Sequence, residues 1–201
     1  MLVLAFDTAT DVATVALVRE GEAAERLSSA GRMLEAVDGL LADAGGTPAD
    51  IAAIVVGTGP GRYTSLRMGL VTARALAFAL EVPVAGVSTL DALAAGAAGA
   101  LPVIDGRRGE VFTLLEGAPA CLPPERLDPG PGRTCVGDGA VRYREALLAA
   151  GATVPPDGDP RHLPWARHHA ALARDFGPAE LVEPLYLRAP DAEQALVRAR
   201  P

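Results

Sequence analysis

Three short strand-like runs precede the first helical run in this chain, and that order excludes most α/β folds. Residues 2–7, LVLAFD, are apolar and end in an acid, and residues 12–18, VATVALV, are rich in β-branched side chains. Residues 22–28, EAAERLS, alternate more weakly and complete an expected three-stranded meander. The period then changes: Met33, Leu34, Val37, Leu40, Leu41 and Ala44 recur at helical spacing until Gly45-Gly46 stops the helix. Thr47 followed by Pro48 predicts a single capped turn, and IAAIVVG, residues 51–57, a strand.

A helix is expected over residues 64–80, with Thr64 as its N-cap, then a strand at 83–87 and an alanine-rich helix at 89–99 capped by Ser88. Residues 101–117 read as a hairpin turning around Gly106 to Gly109. With five prolines and three glycines, residues 117–133 read as a long connection. A short strand over 134–139, helices over 140–150 and 164–176, and an extended close at VEPLYLR follow. Three antiparallel strands followed by crossover helices make a mixed sheet unlike a Rossmann domain. The order resembles the repeat of the actin, Hsp70 and sugar-kinase (ASKHA) superfold: two lobes of mixed sheets flanked by helices. Here residues 1–100 form the N-terminal lobe and 101–201 an abbreviated second one.

Composition removes several chemistries. All 18 basic residues are arginine, which excludes a phosphate-loop lysine and Schiff-base catalysis. A net charge of −7 argues against a dedicated nucleic-acid binder. Cys121 and Cys135 form no CxxC pair and are expected to be reduced and structural. No export signal or membrane-length apolar run is recognised, so a cytoplasmic location is expected. Only the last dozen residues are polar enough to be expected disordered. The three histidines, His162, His168 and His169, make no HxxxH or HExxH, so no metal site is expected and they read as a solvated helix face.

Two segments could carry function. Asp7, Thr8 and Thr10 lie in the turn between the first two strands, where an actin-like fold faces its phosphates. GTGPGRYTSLRMG, residues 57–69, resembles a phosphate loop through Gly59, Gly61 and Thr64, but matches neither GxGxxG nor GxxxxGK[ST]. Arg67 stands near the start of the next helix, where the macrodipole disfavours a cation, so something acidic is expected to compensate it: a phosphate, a carboxylate of this chain or one on a partner. That helix carries two apolar stripes. Leu66, Leu70, Ala73, Ala77 and Leu80 form one; Met68, Val71, Ala75, Phe78 and Ala79 form the other. A helix apolar all round needs cover on both sides, from the sheet and from another helix of this chain or a partner. Gly69, Ala73 and Ala77 at four-residue spacing would admit a close neighbour.

LAFDTAT at 4–10, GTGPGRYTSLRMGL at 57–70, GVSTLDAL at 86–93, IDGRRGEVF at 104–112 and EPLYLR at 183–188 together resemble the TsaB (YeaZ) family, in the family's order across nearly the whole chain. The resemblance implies an actin-like fold and a non-catalytic partner of TsaD. The implied task is making threonylcarbamoyladenosine at position 37 of ANN-decoding tRNAs, with TsaE as third component and tRNA contacted indirectly. It implies no cofactor, contact with TsaD through the first two helices, and a possible homodimer of the isolated chain. The expected contact set is Met33, Leu34, Val37, Leu41, Leu66, Arg67, Leu70, Ala73, Arg74 and Ala77, and Asp7, Thr8, Thr10, Gly59, Gly61 and Thr64 are a vestigial phosphate site.

The loop departs from the family's usual GPGSFTGLR at Arg62, Tyr63 and Ser65, where larger side chains would crowd a phosphate. AGRML at 30–34 also shortens the lead into the first helix. The alternatives are an actin-fold ATP hydrolase or kinase-like enzyme, using CVGDGA at 135–140 as a second loop, and a peptidase.

Overall fold

The computed structural model describes residues 1–188; the polar C-terminal stretch lies outside the described residues. Strands β1 (Leu2–Asp7), β2 (Ala13–Arg19) and β3 (Glu22–Ser28) form the meander. Strands β4 (Ile51–Gly57) and β5 (Val84–Val87) pair parallel to it, giving a mixed sheet ordered β3-β2-β1-β4-β5. This is the actin-like arrangement. Strand β3 is the largely exposed edge, which is why its alternation is weak.

Helices α1 (Met33–Asp43) and α2 (Tyr63–Leu80) cover one face of this sheet. Met33, Val37, Leu40 and Leu41 from α1 and Leu66, Leu70, Ala73 and Ala77 from α2 pack there with Leu4, Phe6, Ile54 and Val56. The other face carries α6 (Ala166–Leu172), whose Ala166 packs with Ala5, Ala16 and Val55. Small residues suit this side, because the α6 backbone lies close to the strands.

The second sheet is ordered β8-β7-β6-β9: β6 (Leu101–Arg107), β7 (Glu110–Leu115), β8 (Ala118–Leu122) and β9 (Cys135–Val136). Strand β8 corrects the expected connection over 117–133. It pairs antiparallel with β7 as an edge strand, a place where Pro119 is tolerated. The helix expected over 140–150 is split into α4 (Asp138–Arg142) and α5 (Arg144–Ala149), and α3 (Thr89–Ala95) is shorter than expected. Ser88 caps α3 by accepting from Asp91 N at 3.3 Å.

The chain then returns to the first sheet. Residues 182–188 cross from it towards the second sheet, held by Leu185 N donating to Thr58 O at 2.8 Å, Arg74 donating to Val182 O at 2.6 Å and Arg188 pairing with Glu110 at 2.6 Å. Among the described residues no helix is long and apolar enough to cross a membrane.

Candidate functional site

The hairpin between β1 and β2 is closed by the chain's own groups. Asp7 is fully buried, and its carboxylate accepts from Ala9 N at 2.6 Å and from Thr89 Oγ1 at 2.6 Å. His169 Nε2, also fully buried, lies 2.8 Å from the same carboxylate. The expectation of three solvated histidines is therefore corrected for two of them. His169 faces inward because α6 lies flat on the sheet, and buried His162 accepts from Gly137 N at 3.0 Å.

The hydroxyls are occupied as well: Thr8 Oγ1 donates to Ser65 O at 2.7 Å and Thr10 Oγ1 to Val12 O at 2.8 Å. Arg62 N donates to Ala9 O at 2.7 Å, which draws the loop onto the hairpin. A Cβ on Gly61 would stand 2.3 Å from Ala9 O, so only glycine permits that approach. Gly59 adopts φ +90° and is clasped by Thr89, whose N–H donates to Gly59 O at 2.8 Å. Five of the six expected phosphate-site residues, Asp7, Thr8, Thr10, Gly59 and Gly61, are thus brought together in a packed joint between β1, the loop and α3, while Thr64 is exposed outside it.

Thr64 is not the N-cap of α2. Arg62 holds that position without a side-chain cap, and Thr64 lies in the first turn. Within the chain, two rings rather than a carboxylate meet Arg67. Its guanidinium sits 4.1 Å from the centroid of Tyr63 and donates through Nε to Tyr186 Oη at 2.8 Å, while the rings stack at 5.5 Å. The large side chains that were expected to crowd the loop turn aside: Arg62 pairs with Asp11, which also holds Arg107 at 3.1 Å.

The loop and the β6–β7 turn therefore frame a cleft of about 430 Å³, lined by Arg62, Arg107, Arg108 and Arg188 with Tyr63 and Tyr186. Asp105 at its base accepts from Arg107 N at 2.9 Å and from Tyr143 Oη at 3.2 Å. Nothing in the sequence order signalled the Arg62–Asp11–Arg107 chain except the charges themselves.

Next to Asp105, Asp138 Oδ1 accepts from Asp105 N at 3.0 Å, and burial pushes the Asp138 carboxyl above the usual range, with the Asp105 charge adding to the shift. The folded state then holds a proton more tightly than the unfolded chain. Stability falls as pH rises from the ordinary carboxylate value of 3.8 through the raised one, and the loss is complete above it. Asp138→Asn keeps the acceptor oxygen and removes the charge. It is expected to raise Tm at pH 7, by about 2–4 °C for each kcal/mol recovered, and to have no effect near pH 3. Thermal melts at the two pH values check this.

The expected contact set needs a larger correction. Met33, Val37, Leu41, Leu66, Leu70, Ala73 and Ala77 are buried in this chain's own core, so they cannot face a partner. The close neighbour of Gly69 is Thr8, whose Oγ1 would lie 2.2 Å from an added Cβ. Leu34, Arg67 and Arg74 remain at the surface. The uncovered stripe of α2 is the other one: Met68, Val71 and Phe78 are 41%, 65% and 86% exposed, and Ala75 lies between them. Their spacing of three and four residues makes one continuous apolar face, and Leu34 of α1 is exposed on the same side of the sheet.

Among the described residues, no group of three or more His, Cys, Asp or Glu is placed to hold a metal. Burial raises both thiols, Cys135 to about 11, so neither is poised as a nucleophile.

Residues 22–128 match the family model described as TsaD: tRNA N6-adenosine threonylcarbamoyltransferase. An uncharacterised protein of Mycobacterium tuberculosis is 38% identical over 97% of this chain and 95% of its own length. The tRNA threonylcarbamoyladenosine biosynthesis protein TsaB of Bacillus subtilis is 39% identical over 57% of this chain and 55% of the relative, so the match spans about half of that protein. The solved structure of YeaZ from Pseudomonas aeruginosa superposes with a TM-score of 0.77 at 33% identity, covering 92% of this chain and 99% of that one. A second solved Pseudomonas aeruginosa structure, described as similar to peptidase YeaZ, superposes equally well at 32% identity. With the family model matching more than half of the chain and YeaZ superposing over nearly all of it, the chain belongs to the TsaB (YeaZ) family.

Proposed function

We propose that the chain is an accessory subunit in tRNA threonylcarbamoyladenosine biosynthesis. In this reading it performs no chemistry of its own and docks on TsaD, with TsaE as a third component, for transfer of the threonylcarbamoyl group to adenosine 37 of ANN-decoding tRNAs. The names of its relatives support the pathway. The observation that carries the docking role is the apolar face of α2, which the elements of the described residues leave exposed. Burying Phe78 alone would contribute roughly 1.5–3 kcal/mol to an interface. The filled hairpin supports the absence of catalysis, because an Asp7 carboxylate engaged by Ala9, Thr89 and His169 has no free edge for a metal or its water.

Reconstituted modification of tRNA with TsaD, TsaE and the enzyme supplying the activated threonylcarbamoyl group, all from one organism, tests the role. Product is expected only when this chain is added. Equal product without it would remove the accessory role, and ATP turnover by the isolated chain would favour the kinase-like alternative.

A further inference from the structure

We propose that the groove between the C-terminal turn of α2 and residues 177–180 receives a basic side chain of TsaD, an arginine or lysine flanked by apolar residues. The inference rests on the docking reading above and names the chemistry of the partner at one end of that face. The groove is open and encloses about 840 Å³. Ala79, Val82 and Pro83 line it together with Pro178 and Ala179, and Phe78, 86% exposed, stands in its wall. It therefore carries the apolar face of α2 past the end of the helix.

The charge of the groove selects what can cover it. The last turn of α2 has no basic residue, so nothing in that turn offsets the partial negative charge of the C-terminal carbonyls. Glu81 follows directly, an acid where the dipole disfavours one, and it holds the left-handed conformation at φ 54°, where glycine is the unstrained choice. Glu180 adds a second carboxylate from the opposite segment. Both side chains are exposed, and neither has a hydrogen bond or ion pair among the described residues. Arg74, the cation among the described lining residues, is drawn to Val182 O at 2.6 Å, and its single charge leaves the two carboxylates in excess. A purely apolar partner would strip water from these acids and return nothing; a cation on the partner replaces that water. The same cation would lie against the Phe78 ring and lay its methylene stem on Val82.

Surface plasmon resonance of the full chain against TsaD from the same organism, at low and moderate salt, tests it. The parent is expected to associate more slowly as salt rises. Glu81→Lys with Glu180→Lys should lower the affinity about tenfold or more, chiefly through the association rate, and flatten the salt dependence. Both positions are exposed and a cation at 81 suits the helix end, so Tm should hold or rise. Should that variant fail to fold, Glu81→Gln with Glu180→Gln decides the matter, with an expected loss of about threefold. Glu116→Lys with Glu145→Lys, at exposed positions of the second lobe, makes the same change in net charge and should bind within about twofold of the parent.

Binding by the reversed variant within about twofold of the parent, or an equal loss in the second-lobe control, would overturn the proposal. The docking reading would survive that result if Val71→Arg with Phe78→Arg still abolished binding. No binding of TsaD by the parent, or full binding by the Val71→Arg, Phe78→Arg variant, would remove the docking reading and this inference together. A parent dimer that the reversal dissolves, seen by sedimentation with TsaD binding unchanged, would place a second copy of this chain in the groove and overturn the proposal as well.

Discussion

Val71→Arg combined with Phe78→Arg is expected to abolish the chain's contribution to tRNA modification while leaving its fold intact. Both side chains are exposed on the uncovered face of α2, so neither substitution opens a cavity. Arginine is a good helix former, and at position 78 it sits in the last turn, where the macrodipole favours a cation. On a partner surface the pair would remove two apolar contacts and bury two charges, a loss of roughly 3–5 kcal/mol or more, which is about 10²–10⁴-fold in affinity. Thermal melts should match the parent within a few degrees, while product in the reconstituted reaction falls to the level seen without the chain. Undiminished product would show that this face is not used. Leu70→Arg could not make this distinction, because Leu70 is buried in the core and a charge there would unfold the chain.

The second large effect is on stability. A Cβ on Gly57 would stand 1.9 Å from Asp7 Oδ2, inside a wholly buried cluster. The carboxylate cannot move aside without leaving Ala9 N and Thr89 Oγ1 unpaired and drawing away from His169. Gly57→Ala is therefore expected to cost roughly 3 kcal/mol or more, a fall in Tm on the order of 6–12 °C. Asp7→Ala alone should also destabilise, since it strands the same donors. Combined with Gly57→Ala it removes the overlap, so the double variant should lose clearly less than the sum of the two single ones. Additive losses in a double-mutant cycle would contradict this picture of the joint.

Local signals explain what was readable in the sequence. Strand β4 was expected over residues 51–57 and spans Ile51–Gly57, because its apolar run is bounded by a capped turn and a glycine loop. The caps at Thr47 and Ser88 depend on residues no more than three positions apart and were equally legible. Strand β8 was not, since Pro119 inside it and Pro123-Pro124 directly after it imitate a loop.

The two faces of α2 show a different limit. Both stripes are apolar, so periodicity could not tell which one the sheet takes. Tertiary fit decides it: Leu66 and Leu70 fill the space above β4 and β1, and Gly69 admits Thr8. The result reverses the expected contact set. At the candidate site, Asp7 and His169 are 162 positions apart in sequence, and Asp7 and Thr89 are 82 apart. No spacing rule joins such residues. The same holds for the pairing of Arg67 with Tyr186, across 119 positions, where a cation at a helix start found two rings instead of an acid.

The claim on which the functional reading turns is that the exposed face of α2 is where the partner sits. A photo-crosslinking side chain placed at Phe78, with a control at Leu148, which is 49% exposed on α5, measures this directly in a mixture with TsaD from the same organism. The expected result is a crosslink to TsaD from position 78 and none from position 148. A crosslink from 148 alone, or from neither position while the two proteins still co-elute, would contradict it and place the partner on another surface.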